Sequence, residues 1–154
     1  KLAWMAVGGP PNLRASAIER LEFICDTYLS VSTPVQAAAA DLLARGSVVR
    51  GQIQARIQAN YAELIRQIDG SGPCRLLHAD GGWYAVLQVP SFGSEEDLVV
   101  ELVDRHDVLV HPGYFFDFPR ESYLVVSLIP DQASFGEGMA RLLRHFDSRT
   151  AGHE

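Results

Sequence analysis

The order of helical and strand-like patterns predicts an α+β fold, a small and mostly antiparallel sheet covered by helices. Apolar residues recur at helical spacing through the first half of the chain, and the period changes to two from Cys74 onward. Strand patterns then alternate with two further helices. With 154 residues and 47% hydrophobic content, the chain can bury one sizeable core, so we expect one compact domain.

The first half of the chain is predicted to form one strand and three helices. A strand over residues 2–7 (LAWMAV) ends at the breaker cluster 8–11, and apolar residues spaced by three and four predict a helix over about 12–28. A second helix over 33–45 is stopped by a glycine. The third, over 48–68, is amphipathic and the longest in the chain.

The second half is predicted to add four strands and two helices. Residues 74–79 and 83–89 have strand patterns on either side of Asp80-Gly81-Gly82, a hairpin-type turn. Two more strands follow, over 108–111 and 122–129. Helices between and after these strands complete the layer structure.

Local capping patterns indicate where three helices begin. Thr33 and Gln36 form a capping box, in which each side chain bonds the other's backbone, with Pro34 at the first helical position. Ser94 and Asp131 are predicted to cap the last two helices. The residues predicted to face inward are Leu98, Val99, Leu102 and Val103 in one helix, and Phe135, Met139, Leu142, Leu143 and Phe146 in the other.

Composition and motifs exclude several functional classes. Thirteen basic against 19 acidic residues, a net charge of −6, leave no basic face for nucleic acid or anionic lipid. No apolar run approaches the roughly 18 residues of a membrane span, so we expect a soluble, cytoplasmic protein. The five histidines lack ligand spacing, which predicts no metal site, and no serine lies in a GxSxG elbow. Cys25 and Cys74 are interpreted as reduced packing residues.

The stretch from Val108 to Phe116, VLVHPGYFF, is the strongest candidate for function. A strand ends at His111-Pro112-Gly113, where proline fixes one backbone angle and glycine frees the next. Tyr114, Phe115 and Phe116 follow at once. They either hold a loop over a flat ligand or plug the strand end as core aromatics.

Several segments together resemble the C-terminal portion of class I/II aminotransferases, which are pyridoxal-phosphate enzymes of fold type I. The segments are KLAWMAVGGP at the start, the long helix 48–68, GGWY at 81–84, VLVHPGYFF, and the strand YLVVSL. The resemblance implies that residues 1–10 are a strand remnant of an upstream large domain. Residues 11–147 would then be the C-terminal domain, and 148–154 a polar, frayed tail.

The resemblance also implies where a cofactor binds. In this family a Schiff-base lysine precedes, by a short distance, a basic residue that binds the cofactor phosphate, so the resemblance implies a Schiff-base lysine upstream of Lys1. The chain also begins without methionine, so we expect either that processing removed a segment or that these residues are the last part of a longer polypeptide. Lys1 matches the basic residue that neutralises the cofactor phosphate. Ser32 and Thr33 match the S/T-x-P turn near the partner subunit's cofactor phosphate.

The substrate side of the family matches a second group of positions. One departure concerns the closing strand, where the family has an arginine that grips the substrate carboxylate and this chain has Val125. Arg120 is the nearest spare cation in sequence, and His111 is a second candidate donor to a carboxylate. The substrate-binding residues that the resemblance implies are Gly82, Trp83, His111, Pro112, Gly113 and Phe115, and Arg120 is added to them as the candidate substitute for the arginine.

The function implied is closure over an amino acid or 2-keto acid in a pyridoxal-phosphate-dependent aminotransferase, a homodimer when complete. These residues alone are expected to be inactive and to bind little cofactor. Two alternatives stay open: a non-catalytic domain that binds a ligand or partner through the aromatic turn, and a lyase or decarboxylase with the same cofactor.

Overall fold

A computed structural model of the protein describes residues 2–68, 70, 72–119 and 122–151, the last by its backbone alone. The predictions for Lys1 and Arg120 lie outside these residues. The chain divides into two compact units, Lys1–Val48 and Val49–Glu154.

The first unit contains two helices, α1 (Pro11–Cys25) and α2 (Thr33–Arg45), and every side chain of both is at least partly exposed. Pro11 begins α1, where its missing N–H leaves no hydrogen bond unmade. Residues 2–7 pair with no strand among the described residues, and their assignment as the strand remnant of an upstream domain stays a prediction. A strand pattern needs a partner to become a strand.

The capping box predicted at the start of α2 is not observed, and the N-cap lies one residue earlier than predicted. Ser32 is the N-cap, Thr33 is already helical, and Pro34 is therefore in the second position. No side chain caps this helix; instead the Gln36 amide donates to the carbonyl of Val31 over 2.7 Å. The local sequence places the helix start correctly to within one residue, and the helix ends at Arg45, with Gly46 as its C-cap, as predicted.

The second unit is an antiparallel sheet with helices on one face, so the α+β prediction is confirmed. The strand order is β1-β2-β4-β3, and each neighbouring pair is antiparallel. The long helix is α3, Ser47–Gln67. The other elements are β1 (Arg75–Leu76), β2 (Tyr84–Gln88), α4 (Glu95–His106), β3 (His111–Pro112), a 3₁₀ helix (Gly113–Phe116), β4 (Tyr123–Ser127) and α5 (Gln132–Ala151).

The core lies between the helices α3, α4 and α5 and one face of the sheet, here called its first face. Leu87 and Leu124 face each other on β2 and β4 and are fully buried, as are Leu64, Leu102 and Leu142 of the three helices. Of the residues predicted to face inward, Val103 is an exception at 41% exposed. It lies one position past Leu102, on the flank of α4 rather than beneath it.

Both predicted caps in this unit are confirmed. The Ser94 hydroxyl accepts from the Asp97 N–H over 3.1 Å, and the Asp131 carboxylate accepts from the Ser134 N–H over 3.0 Å. The predicted polar tail is helical as far as it is described, because α5 continues through Ser148 to Ala151. No helix within the described ranges is long and apolar enough to cross a bilayer.

The two cysteines differ in their surroundings. Cys74 is buried as predicted, but Cys25 is exposed, so its interpretation as a packing residue is wrong. It lies at the end of α1, a helix in which none of the side chains, all of them described, is buried.

Candidate functional site

The second face of the sheet carries the residues that the sequence singled out. Directly paired residues of antiparallel strands point to the same face. Val125 of β4 pairs with Val86 of β2 on one side and with His111 of β3 on the other, so these three form one row. Tyr84 lies on the same face as Val86, two residues away along β2.

The 3₁₀ helix folds back over this row and builds a series of touching rings, here called the ring array. Phe116 contacts Tyr84 at 5.7 Å between ring centroids, and His111 at 6.0 Å. His111 in turn contacts Phe115 at 6.1 Å. The array continues to Trp83 beyond Tyr84 and to Tyr114 beyond Phe115, and its members are Trp83, Tyr84, Phe116, His111, Phe115 and Tyr114.

These rings are both packed and exposed. Trp83 is 54% exposed and Phe115 61% exposed, although each touches a neighbouring ring. A contiguous group of half-exposed aromatic side chains is typical of a surface that another molecule covers. The sequence left two alternatives for the turn, a loop over a ligand or a plug of core aromatics, and neither describes it alone. Phe116 packs on rings of β2 and β3, while Phe115 is largely exposed to solvent.

Val125 lies beneath this array. Its exposed fraction is only 2%, and Phe116 touches rings on both strands that flank it. The position where the family pattern has an arginine is therefore an apolar site, flanked by Val86 and His111 and bridged by an aromatic ring.

A buried carboxylate holds the aromatic turn in place. Glu95, the first residue of α4, is 3% exposed and accepts from the N–H of Tyr123 over 2.8 Å and the N–H of Tyr114 over 3.0 Å. Sequence reasoning missed this residue, since an acidic residue after an N-cap is ordinarily a surface residue that favours the helix dipole. Because Glu95 is 19 and 28 residues away from its two donors, no short-range pattern in the sequence predicts these hydrogen bonds.

Gly113 is required by close approach. A Cβ atom there would lie 2.8 Å from the Tyr123 Cβ and 3.1 Å from the Glu95 carboxylate. The sequence interpretation, that this glycine frees a backbone angle, is wrong: Gly113 does not have a positive φ, whereas Gly82 does, at +90°.

A cleft of about 560 Å³ adjoins one end of the ring array. The segment from Ala79 to Tyr84 forms one wall, and the exposed side of α3 forms the other. This contribution of α3 was not foreseen. The residues of α3 that line the cleft are Arg50, Ile53, Gln54, Ile57, Gln58 and Tyr61.

The structure thus brings together Gly82 and Trp83, at the cleft, with His111 and Phe115, in the ring array. Pro112 and Gly113 are buried beneath the turn rather than exposed to a ligand. Their binding roles stay predictions, as does that of Arg120.

Ser32 and Thr33 lie in the first unit, where both side chains are exposed at the N-terminus of α2. Two hydroxyl groups at a helix N-terminus are hydrogen-bond donors of the type that binds a phosphate group. The aldehyde of pyridoxal phosphate has no partner among the described residues, however, because Lys1 is the only lysine in the sequence. The residues described here therefore fit part of the cofactor and not its reactive end.

Three other titratable side chains are not members of the ring array. His106 of α4 and His145 of α5 share a hydrogen bond of 3.0 Å, and burial lowers the pKa of His145. Burial, and secondarily the charge of Asp147, raises the pKa of the Cys74 thiol to about 12. No group of three metal-binding side chains occurs among the residues that the structure covers.

The fold with these elements in this order is that of pyridoxal-phosphate-dependent aminotransferases, over part of their length. No family model and no curated protein sequence matches the chain. Among solved structures, a PLP-dependent aminotransferase from Streptococcus suis aligns with 89% of this chain and 36% of its own, at 18% identity and a TM-score of 0.70.

Two further solved structures agree. An aromatic aminotransferase from Pyrococcus horikoshii matches 86% of this chain and 36% of its own, at 20% identity and a TM-score of 0.72. An aminotransferase from Mycobacterium tuberculosis matches 91% and 36%, at 22% identity and the same TM-score. The chain spans about a third of the length of these enzymes. The resemblance inferred from the motifs is confirmed as a likeness of fold.

Proposed function

We propose that this chain is the part of a pyridoxal-phosphate-dependent aminotransferase that closes over an amino acid or 2-keto acid, with the ring array and its adjoining cleft as the substrate-contacting surface. One observation supports this most directly. Trp83 and Phe115, which come from two separate segments of the resemblance, belong to one continuous series of touching, half-exposed rings.

In the complete enzyme the cofactor would supply the electron sink for amino-group transfer. This chain's own side chains would bind the substrate, exclude water and set its orientation. The wall of the surface is apolar at Val125, so the substrate group that lies there is bound by ring contact and not by an ion pair. Ser32 and Thr33 would contribute hydroxyls to the cofactor phosphate.

The test is amino-group transfer by the natural protein that carries this chain, purified with pyridoxal phosphate. Trp83→Ala and Phe115→Ala each remove one exposed ring, and we expect kcat/KM for the amino donor to fall roughly 5- to 30-fold. Leu109→Ala is the matched control, because Leu109 is 82% exposed and outside the ring array. Unchanged kcat/KM in both ring variants would refute the proposed surface.

A lyase or decarboxylase is the second candidate, and Val125 is the observation that favours it. A reaction that does not need the usual carboxylate clamp tolerates its replacement by a buried valine. Product analysis separates the two: an amino group recovered on a second keto acid supports transfer, whereas ammonia or carbon dioxide supports the alternative.

We also propose that the complete protein is a homodimer in the cytoplasm. The support is the first unit, whose helices expose large apolar side chains, including Phe23 at 77% and Leu42 at 58%. Light scattering of the natural protein measures its mass in solution. Phe23→Asp is expected to weaken the dimer, while Glu19→Gln, on an exposed position of the same helix, is expected to leave it unchanged. A monomer at all concentrations would contradict the proposal.

The 154 residues alone are expected to hold little cofactor, since they contain a single lysine. Borohydride reduction followed by mass spectrometry tests this. A stoichiometric, tightly held pyridoxal phosphate would contradict it.

A further inference from the structure

Glu95 joins three parts of the second unit that are far apart in sequence. It begins α4, while its two carboxylate oxygens each take one backbone N–H: Oε2 that of Tyr114, in the 3₁₀ helix, and Oε1 that of Tyr123, at the start of β4. The N–H groups at the start of a helix have no partner within that helix. Glu95 supplies an acceptor for the Tyr114 N–H near the start of the 3₁₀ helix. Its second oxygen accepts from Tyr123, so the carboxylate joins the 3₁₀ helix to β4.

The surroundings make these two bonds strong. The carboxylate is 3% exposed, and a hydrogen bond to a charged acceptor shielded from water is stronger than a neutral one. Gly113 lets the turn approach, because any side chain there would press on both Glu95 and Tyr123. The bond to Tyr114 fixes the residue directly before Phe115 and Phe116.

We propose that Glu95 is a positioning residue, whose buried carboxylate holds the aromatic turn against β4 and so sets the geometry of the ring array. The step from turn to substrate rests on the proposed function, but the clamp itself does not. Without the clamp, the 3₁₀ helix loses its Tyr114 hydrogen bond and β4 loses its Tyr123 hydrogen bond to the same carboxylate, and the population with the array assembled falls.

Amide hydrogen exchange, followed residue by residue by NMR in the 154-residue chain, tests the clamp. Glu95→Gln removes the charge and turns one acceptor into a donor that faces an N–H. We expect the amides of Tyr114 and Tyr123 to exchange about ten- to a hundredfold faster, with the amides of β2 and of residues 124–127 in β4 unchanged. Glu96→Gln is the matched control, since it removes the same charge from the neighbouring, exposed position.

Glu95→Asp provides a second variant if the glutamine variant does not fold. It keeps the charge but is one methylene shorter, so it reaches one N–H and we expect faster exchange at only one of the two amides. Two results would overturn the clamp: wild-type exchange at both amides in the Glu95 variants, or an equal increase at every amide of the unit, which would mark a purely structural role.

Kinetics of the natural protein then test the step from turn to substrate. We expect Glu95→Gln to raise KM for the amino donor at least about twofold with kcat unchanged, because fewer molecules have the array assembled. Selective loss of amide protection with an unchanged KM would leave the clamp standing and refute the substrate-contacting role of the turn.

Discussion

Introducing an arginine at position 125 is a direct test of how tightly the ring array packs on the sheet. Val125 is 2% exposed, in a row with Val86 and His111, and bridged by Phe116. Val125→Arg would bring a guanidinium group into this apolar layer. No acidic residue is paired with Val125 in the sheet register of β2 and β4 or of β3 and β4.

The cost follows from burial. An unpaired charge removed from water costs several kcal/mol even after the protein relaxes. The larger side chain also displaces packed rings, at about 1–3 kcal/mol. We therefore expect the free energy of unfolding to fall by at least about 3 kcal/mol, a large part of the roughly 5–15 kcal/mol that stabilises a typical domain.

Urea unfolding followed by circular dichroism measures this change. Val100→Arg is the control, because Val100 is 54% exposed on α4, and we expect a change within about 0.5 kcal/mol. Phe116→Ala removes the ring that contacts both strands flanking β4, so in that background the cost of Val125→Arg should shrink. A loss under about 1 kcal/mol with Phe116 intact would show that the array opens freely, and would refute the account of an apolar, closed site.

Three further outcomes are expected. Asn60→Asp should lower the free energy of unfolding by about 2–4 kcal/mol in urea, because the fully buried Asn60 amide donates to two backbone carbonyls, over 3.0 and 2.8 Å; an unchanged midpoint would contradict this. Iodoacetamide near pH ~8 should alkylate the exposed Cys25 and spare Cys74, whose pKa is raised to about 12, so mass spectrometry should find one adduct on the folded chain and not two. The pKa of His145 is lowered from 6.5 by burial, so the unfolded chain binds its proton more tightly. The stability that the neutral His145 contributes is therefore fully present above about pH 6.5 and is lost as the pH falls below that value. The free energy of unfolding of His145→Gln should fall less steeply with decreasing pH, and identical slopes would contradict this.

The sequence predicts most of the second unit because the signals there are local. A serine or an aspartate before an amphipathic run is sufficient to begin α4 and α5, since the cap and its N–H lie three residues apart. The change of period at Cys74 likewise predicts the hairpin of β1 and β2. These features depend on neighbours in the sequence and not on the rest of the fold.

The burial of Val125 and the role of Glu95 could not be predicted in this way. Nothing near Val125 in sequence indicates that it is buried between two strands whose rings both contact Phe116, and Glu95 is 28 residues from Tyr123. The resemblance suggested a missing carboxylate clamp, but the structure adds a reason for valine, because the site beneath Phe116 is apolar. Residues 2–7 show the reverse case, a strand pattern without a partner.

The two outer strands of the sheet, β1 and β3, are each two residues long. An edge strand offers unpaired backbone groups to which another chain can add, and natural proteins limit this by making edges short or placing proline in them. Pro112 in β3 has no N–H to offer, and the 3₁₀ helix begins immediately after it. The apolar strands β2 and β4 are therefore shielded from the addition of a strand from another chain. The ring array can remain exposed to a small molecule without the sheet becoming a template for aggregation.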